Sequence, residues 1–397
     1  MMKETWKRQT FWTLPVYTGD VSGVCSALYE LGGMVVMHDP SGCNSTYNTH
    51  DEIRWMDQES LIFLSGLKDI DAITGNDQKL IDDIVESASI YHPKFIAIAN
   101  SPVPWLIGTD FRSICRKVQQ ETGIPAFHVE TNAMHDYTYG ASRAFLELAR
   151  MLFEEEVGRK LQDAGEKAHG RIRVNILGVT PLDLTVLGQV QTLREILAEN
   201  EFDVVSVWGT GDGMEVLKKA PSADVNLVVS SAGLLTAAYM KEKFGISYVA
   251  GVPTGAFGGY LMTALREAAQ TAEDRIPYLE VLKSERRNTA DRGTQARCVC
   301  GEPVTMGSVA ADLAIRDHCS VDLIRLTETS VPAGGLTPDV YPQGEEEIRQ
   351  VLSHYTDVTA DPMLKIACRK DAVFHELPHF AYSGRLYLNQ IRPLILH

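Results

Sequence analysis

The chain has 397 residues, of which 45% are hydrophobic and 22% charged, and its formal net charge at pH 7 is −15. This length predicts two or three domains, and the composition is that of a folded globular protein rather than a disordered or collagen-like chain. The charge argues against a nucleic-acid-binding protein, because binding to phosphates requires clusters of Lys and Arg, and the sequence has none. There is no apolar run long enough to span a membrane and no apolar signal-peptide core, and seven cysteines in a large chain fit a reducing compartment. We therefore expect a cytoplasmic protein that acts away from membranes.

The first third of the chain has the pattern of repeated βα units. Short apolar runs bounded by Gly, Pro and Asn alternate with segments of helical period, which is typical of parallel sheets. Strands are predicted at 33–37, 61–64, 95–99 and 126–129, and helices at 79–89, 111–122 and 141–161. Segment 163–170 has the composition of a linker, so we place the end of the first domain at residue 165.

Two further sets of βα units follow. The second has predicted strands at 174–179, 204–207, 227–230 and 248–252, with helices at 189–198 and 234–244. The third follows the polar segment 282–294 and has predicted strands at 296–300, 321–326, 364–368 and 379–382. The sequence thus predicts an α/β protein of three doubly wound, Rossmann-like domains, at residues 1–165, 166–290 and 291–397. A ligand site is expected in the central cleft between them, because such sheets bind ligands beyond the carboxyl ends of their strands.

Two cysteines near the start of the chain are the strongest candidates for chemistry. Cys43 ends the turn that begins at His38 and reads His-Asp-Pro-Ser-Gly-Cys, directly after a predicted strand, so its thiol is expected at a strand end. Cys25 lies where a helix is predicted to begin, and helix N-termini stabilise thiolates. The pair is a candidate half-site for an iron–sulfur cluster. The alternative is that both cysteines only pack in the core, since buried cysteine without a bridge is common.

The segment from Cys25 to Asn48 resembles the first cluster-binding segment of the nitrogenase component 1-type oxidoreductases. In that family a cysteine precedes a helix, and the next strand ends in His-Gly-Pro-x-Gly-Cys. Segment 101–110 is similar to the family's third cluster segment, Cys-Pro-x-x-x-Ile-Gly-Asp-Asp, with Ser101 in place of the cysteine. The resemblance implies three domains of this type and a low-potential oxidoreductase. A separate ATP-hydrolysing iron protein would deliver electrons through an iron–sulfur cluster to a substrate held among the domains.

The resemblance also implies which residues hold the cluster. With the third cysteine lost, a [4Fe–4S] cluster with four thiolates fits better than the larger double-cubane type, with Cys25 and Cys43 coming from each of two subunits on a two-fold axis. In a heterodimer with a related subunit, Asp20 or Ser101 would add an oxygen ligand instead. Such a cluster favours an anaerobic setting. Residues 171–285 contain no cysteine to anchor an iron–molybdenum cofactor, so the expected substrate is a small organic or tetrapyrrole-like compound rather than dinitrogen.

Two other classes of function stay open at this point. One is a scaffold that holds a metal cofactor during its assembly, and the other is a metal-free α/β protein that binds a ligand between its domains. The chain has no P-loop, and its glycine turn 209–213 lacks the last glycine of a dinucleotide-binding motif, so nucleotide chemistry is expected on a separate protein.

The remaining cysteines and histidines give weaker signals. Cys298 and Cys300 alternate along a predicted strand, and we expect them to pack on one buried face. Core positions are also expected for Cys115, Cys319 and Cys368. The histidines singled out as candidates are His128, His135, His375 and His379.

Overall fold

The computed structural model describes residues 16–40, 52–154, 170–186, 188–289, 296–328, 341–342 and 344–395. The first sheet is parallel, with strand order β2-β1-β3-β4. Its strands are β1 (Met34–His38), β2 (Leu61–Leu64), β3 (Ile96–Asn100) and β4 (Ala126–Val129). The surrounding helices are α1 (Asp20–Leu28), α2 (Asp69–Thr74), α3 (Asp77–Tyr91), α4 (Pro102–Ile107), α5 (Phe111–Thr122) and α6 (Tyr137–Phe153). β1 and β3 are fully buried in the centre of the sheet, which explains their almost continuous apolar sequences.

The second sheet repeats this topology, with order β6-β5-β7-β8. Its strands are β5 (Ile172–Leu177), β6 (Phe202–Val207), β7 (Val225–Val228) and β8 (Ser247–Ala250). Its helices are α7 (Gln189–Glu199), α8 (Met214–Leu217), α9 (Leu234–Phe244), α10 (Gly258–Thr271) and α11 (Pro277–Thr289). The outer edge of β8 is extended by a short parallel bridge between Val249 and Arg275.

The third sheet has order β10-β9-β11-β12 and is also parallel. Its strands are β9 (Arg297–Gly301), β10 (Val321–Arg325), β11 (Asp357–Ala360) and β12 (Val373–Glu376), and its helices are α12 (Pro303–Asp317), α13 (Glu345–Leu352) and α14 (Phe380–Ser383). The described residues therefore form three parallel four-stranded sheets with helices. The predicted α/β fold with three doubly wound units is confirmed.

Two of the strands predicted for the third sheet are wrong. Residues Pro362–Ala367 form a short 3-10 helix, because the Asp361 carboxylate accepts the N–H of Met363 and a proline follows at the first helical position. Residues 380–383 form α14 rather than a strand. The true strands, β11 and β12, lie at 357–360 and 373–376, on either side of that 3-10 helix.

The domain boundaries fall outside the described residues. The first was placed at residue 165, within the gap 155–169, and the second at residue 290, within the gap 290–295. The exact limits 1–165, 166–290 and 291–397 therefore stay predictions. Among the described residues, no helix combines the length and apolar character needed to cross a bilayer.

α1 and α6 approach so closely that only glycine fits at two contact points. A Cβ atom on Gly140 would lie 1.8 Å from the carbonyl oxygen of Asp20, and one on Gly23 would lie 2.1 Å from the carbonyl oxygen of Tyr137. Backbone therefore packs directly on backbone. This contact fixes the position of α1, the helix that carries Cys25.

Candidate functional site

Cys25 is the sixth residue of α1 and is completely buried. The sequence prediction that the helix begins near Cys25 is wrong, because α1 begins five residues earlier, at Asp20. The stabilising effect of a helix N-terminus falls off within the first turn, so it does not act strongly on this thiol. Cys25 instead lies in the interior, on a helix that packs against β1 and β3.

Cys43 lies outside the described residues, as does the rest of the segment 41–51. The strand before it is described, and β1 ends at His38 as the pattern predicted to within one residue. The backbone N–H of Ser101 donates to the carbonyl oxygen of His38 at 3.3 Å. The end of the strand that leads to Cys43 is therefore adjacent to Ser101.

Ser101 has a buried hydroxyl group that lacks a hydrogen-bond partner among the described residues. It follows β3 directly and occupies the N-cap position of α4, yet its side chain caps no N–H of that helix. Leaving a buried polar group without a partner costs about 1–3 kcal/mol. The Ser101 Oγ can thus bind, or lie against, a group that the described part of the chain does not supply.

The carboxylate of Asp20, unlike the hydroxyl of Ser101, is fully engaged in hydrogen bonds. Its carboxylate accepts hydrogen bonds from the backbone N–H groups of Val21 at 2.7 Å, Asn132 at 2.9 Å and Ala133 at 3.0 Å. Burial raises the pKa of Asp20, while these N–H groups act in the opposite direction. Because both oxygens already hold the turn after β4 against the start of α1, the geometry favours Ser101 over Asp20 as an additional ligand.

Within the described ranges, the structure has no group of three or more His, Cys, Asp or Glu side chains arranged to hold a metal ion. A cluster with four protein ligands would therefore need residues from outside these ranges, such as Cys43, or from a second chain. The two-fold arrangement, in which each of two chains would give two thiolates, stays a prediction.

Two histidines near this region are structural. His38 Nδ1 lies 2.8 Å from Ser65 Oγ, and His128 Nε2 lies 2.8 Å from Asn100 Oδ1. The His128 ring also stacks on Phe111. Burial lowers the pKa of both histidines to about 4, so both are neutral at neutral pH.

The other candidate histidines do not gather around the cysteines. His135 stacks on Tyr139, and its Nδ1 lies 2.7 Å from Glu328 Oε2. His375 is largely exposed, with Nε2 3.3 Å from Asp357 Oδ1. Neither contact brings together a set of metal ligands.

His379 belongs to a buried cluster where the three α/β units meet. The Tyr137 hydroxyl donates to Asp183 Oδ1, and His379 Nε2 lies 3.4 Å from the same oxygen. Nearby, Glu302 accepts hydrogen bonds from the N–H and hydroxyl of Ser231, so it joins the second and third units. Burial and the neighbouring Asp183 carboxylate raise the pKa of Glu302. Sequence reasoning missed Tyr137, Asp183 and Glu302, because their contacts join residues far apart in the chain.

Cys298 and Cys300 are buried on one face of β9 with their sulfur atoms 3.8 Å apart, as predicted. Burial raises the pKa of Cys298, so the thiol stays protonated. Cys115 is also buried, and its pKa is raised to about 12. Cys319 and Cys368 are partly buried and pack against the core rather than inside it.

The glycine turn 209–213 is occupied by a side chain of the protein itself. Glu30 Oε2 accepts the N–H of Gly211 at 2.9 Å, and Arg54 Nη1 donates to Thr210 Oγ1 at 3.2 Å. Arg54 is buried and also pairs with Glu30 and Glu52. A carboxylate of the protein thus occupies the place that a phosphate would take in a nucleotide-binding turn.

Comparison with known proteins places this geometry in a family. The model of the nitrogenase component 1 type oxidoreductases matches residues 23–308, which is most of the chain. The chain belongs to this family. The predicted membership of this family is therefore confirmed.

Individual relatives share only part of their length with this chain. It is 26% identical over 222 residues to the nitrogenase iron-molybdenum cofactor biosynthesis protein NifE of Methanosarcina barkeri, covering 54% of this chain and 46% of that protein. It is 22% identical over 223 residues to a subunit of the light-independent protochlorophyllide reductase of Rippkaea orientalis, covering 55% and 43%. The chain thus spans less than half the length of these curated relatives.

The solved structure described as "Nitrogenase Cp1 at pH 5" has the same fold. It superposes with a TM-score of 0.55 at 19% identity, covering 82% of this chain and 67% of that one. At this level of identity the similarity establishes the fold alone.

Proposed function

We propose that this chain is the catalytic subunit of a nitrogenase-like iron–sulfur oxidoreductase that reduces a small organic or tetrapyrrole-like compound in an anaerobic cytoplasm. Cys25 and Cys43 of two subunits would hold a [4Fe–4S] cluster at their interface. When bound, the cluster would supply low-potential electrons received from an ATP-hydrolysing iron protein. The observation that carries the proposal is the buried hydroxyl of Ser101, which has no hydrogen-bond partner among the described residues and lies at the position where the family motif has its third cluster cysteine.

An exposed apolar surface beside Ser101 supports a subunit interface there. α4 begins at Pro102, directly after Ser101, and α2 packs against it. Large apolar side chains on the two short helices remain in contact with solvent, with Ile73 81% and Leu106 69% exposed. The same surface includes Ile70, Trp105 and Ile107. Apolar patches of this kind usually mark an interaction site. A second copy of this chain or a related component 1-like subunit would bury the patch.

The protein's own contribution would be to position the ligands and exclude water. Cys25 is held in the interior by α1, which the glycine contacts with α6 fix in place. His38 and His128, near the strand ends, are neutral at neutral pH, so they would place no positive charge near the cluster that would raise its reduction potential. The Ser101 hydroxyl would donate a hydrogen bond to a cluster sulfur or ligate iron, and either contact would satisfy it.

The test is the iron and sulfide content of protein purified without oxygen, with electron paramagnetic resonance of the dithionite-reduced sample. We expect about four irons per dimer in the wild type and loss of the cluster signal in both Cys25→Ala and Cys43→Ala. Cys115→Ala is the matched control, because Cys115 is a buried cysteine on α5, in a different part of the core from Cys25, and its loss should leave the iron content unchanged. Circular dichroism checks that each variant is folded. Iron-free wild type that resists reconstitution, or full iron in both variants, would overturn the proposal.

A second candidate is favoured by one of the relatives. The NifE protein of Methanosarcina barkeri is by its name a cofactor biosynthesis protein, so an assembly scaffold would use the same fold. A scaffold would bind the cluster but show no turnover with an iron protein and ATP. Transfer of iron and sulfide from the loaded protein to an acceptor, without reduction of a small molecule, would favour the scaffold.

A further inference from the structure

A buried arginine joins the two segments that carry the candidate cluster cysteines. Arg54 lies in a short 3-10 helix soon after Cys43 in the chain, and only 4% of its side chain is exposed. Its Nη2 donates to the carbonyl oxygen of Ser26 at 2.9 Å. Ser26 directly follows Cys25 on α1. The hydrogen bond therefore links the turn that follows Cys43 to the residue next to Cys25.

The guanidinium group of Arg54 is fully engaged in this contact. Its Nε and Nη2 donate to the two carboxylate oxygens of Glu52 at 2.7 and 2.8 Å, and its Nη1 donates to Glu30 Oε1 at 2.8 Å. Nη1 also donates to Thr210 Oγ1 at 3.2 Å. Together with the carbonyl oxygen of Ser26, these acceptors match the five N–H donors of a guanidinium group, whereas a lysine has three. The site is therefore built for arginine.

Residues from all three α/β units hold the turn that contains Arg54. Ser26 belongs to the first unit and Thr210 to the second. From the third unit, Arg385 donates to the backbone carbonyl oxygen of Glu52 at 2.9 Å. The strand before Cys43 is held as well, by the hydrogen bond between the end of β1 and the loop after β3. The described chain on both sides of Cys43 is thus fixed relative to α1.

Stability alone does not explain a buried charge at this place. Well-packed apolar side chains of similar volume often stabilise a protein as much as a buried ion pair, because the charges lose their hydration. A planar guanidinium group adds direction, since it donates to acceptors in a fixed geometry and stacks on aromatic rings. The Cζ of Arg54 lies 4.5 Å from the centre of the Tyr29 ring, and the Tyr29 hydroxyl donates to the carbonyl oxygen of Gln58 at 2.8 Å. These contacts specify one arrangement of the turn on α1.

We propose that Arg54 is a positioning residue for the cluster, which holds the chain after Cys43 against the residue next to Cys25 and so keeps the two thiols at one separation. This inference rests on the proposed function, because it takes Cys25 and Cys43 as the ligands. It also gives the second unit a part in holding iron through Thr210, although residues 171–285 contain no cysteine.

The first test measures how fast a ferrous chelator, bathophenanthroline disulfonate, removes iron from protein reconstituted without oxygen. Iron should leave Arg54→Met at least about tenfold faster than the wild type, because hydrogen bonds of a charged group are lost. The electron paramagnetic resonance spectrum of the dithionite-reduced cluster should change as well. Arg54→Lys keeps the charge but has fewer donors, so its rate should lie between the two. Thr210→Val removes one acceptor and should have a smaller effect in the same direction.

A destabilised variant in another part of the core separates positioning from a general loss of stability. Ile81→Ala removes a completely buried side chain on α3, in a different core cluster from Cys25. Large-to-small changes of this kind cost about as much stability as the loss of a buried ion-pair partner. Because distant sites act independently, Ile81→Ala should keep the wild-type spectrum and the wild-type rate of iron loss.

Hydrogen exchange of the iron-free protein tests the same contact without a cluster. Peptides that cover residues 52–58 should exchange at least about tenfold faster in Arg54→Met than in Ile81→Ala, because only the first variant frees the turn. Peptides from α10, far along the chain in the second unit, should exchange alike in the two variants.

The outcomes separate this proposal from the proposed function. Loaded wild-type protein, with equally fast iron loss and unchanged spectra in Arg54→Met and Ile81→Ala, would retain the cluster and refute the positioning role. Equal exchange of residues 52–58 in the two variants would refute it too. Wild-type protein that stays iron-free after reconstitution would refute the reductase, and faster exchange in Arg54→Met would then still support Arg54 as the residue that holds the turn.

Discussion

The carboxyl edge of the first sheet and the glycine turn after β6 are both strand-end regions, but they differ in how their polar groups are satisfied. At the first edge, the Ser101 hydroxyl is unsatisfied and Arg112 has no ionic partner among the described residues. In the glycine turn, Glu30 accepts the backbone N–H of Gly211, and Arg54 donates to the hydroxyl group of Thr210. The comparison teaches that a strand-end loop becomes a candidate ligand site only when the protein leaves its polar groups unpaired.

The largest expected effect comes from removing Arg54, the buried arginine beside the glycine turn. In Arg54→Met, the buried Glu52 carboxylate loses the two hydrogen bonds that Arg54 donates at 2.7 and 2.8 Å. Removing one partner of a buried ion pair costs about 3–5 kcal/mol. Urea unfolding measures the loss. Arg171→Met, which removes an exposed pair with Asp203, is the control and should cost less than about 1 kcal/mol. Equal losses in the two variants would contradict the comparison.

Two buried histidines at the carboxyl edge of the first sheet should make the free energy of unfolding fall in moderate acid. Burial lowers the pKa of His38 and His128 to about 4, below the value near 6.5 expected in the unfolded chain. The unfolded state therefore binds more protons between these values, so the free energy of unfolding is fully retained above pH 6.5 and falls as the pH drops towards 4.

Each histidine would contribute up to about 3 kcal/mol to this loss. The measurement is urea unfolding at pH 7.5 and pH 5, with His128→Gln as the comparison, since glutamine keeps a hydrogen-bonding side chain that does not titrate. The difference between the two pH values should shrink in the variant. An undiminished difference would show that His128 is not a source of the pH dependence.

The close contact between α1 and α6, which fixes the helix that carries Cys25, can be tested by substituting a glycine. In Gly140→Ala the new Cβ would meet the Asp20 carbonyl oxygen at 1.8 Å, so α1 must move, at a cost of about 1–3 kcal/mol or more. We expect lower thermal stability and reduced iron content. Gly259→Ala is the matched control, because nothing lies within 4 Å of its Cβ and alanine favours the helix. Unchanged stability in Gly140→Ala would contradict the tight contact.

The smallest effect should come from Ser101. In iron-free protein, Ser101→Ala removes a buried hydroxyl that has no partner among the described residues, so we expect the free energy of unfolding to rise by about 1 kcal/mol. Ser101→Cys restores the residue type of the family motif and should keep or raise the iron content. Marked destabilisation by Ser101→Ala in iron-free protein would mean that the hydroxyl already has a structural partner.

Local patterns predicted much of the fold. α5 has the predicted bounds, because an amphipathic segment is capped by Asp110 at its start and by Gly123, with a φ of 71°, at its end. The strands 364–368 and 379–382 failed, since a short apolar run does not distinguish a strand from a helical turn and the Asp361 cap decided the outcome.

The candidate site was less accessible to sequence reasoning. Ser101 emerged only from the family resemblance, because a serine before a proline carries no chemical signal of its own. The contacts of Arg54 with Thr210, and of Tyr137 with Asp183, join residues that are distant in the chain. No local periodicity reports such pairs, so they became visible only in the folded structure.

The glycine contacts between α1 and α6 have a consequence for how this subunit could pair with others. At Gly23 and Gly140 the backbones of α1 and α6 are in direct contact, with no side chain between them that could change its rotamer. Helix α1 therefore cannot shift to suit a neighbouring subunit. The position of the Cys25 sulfur relative to the first sheet is therefore fixed. A partner chain, whether a second copy or a related subunit, would have to place its own cluster ligands to match this position. Substitutions in the partner would be tolerated only where they leave the positions of those ligands unchanged.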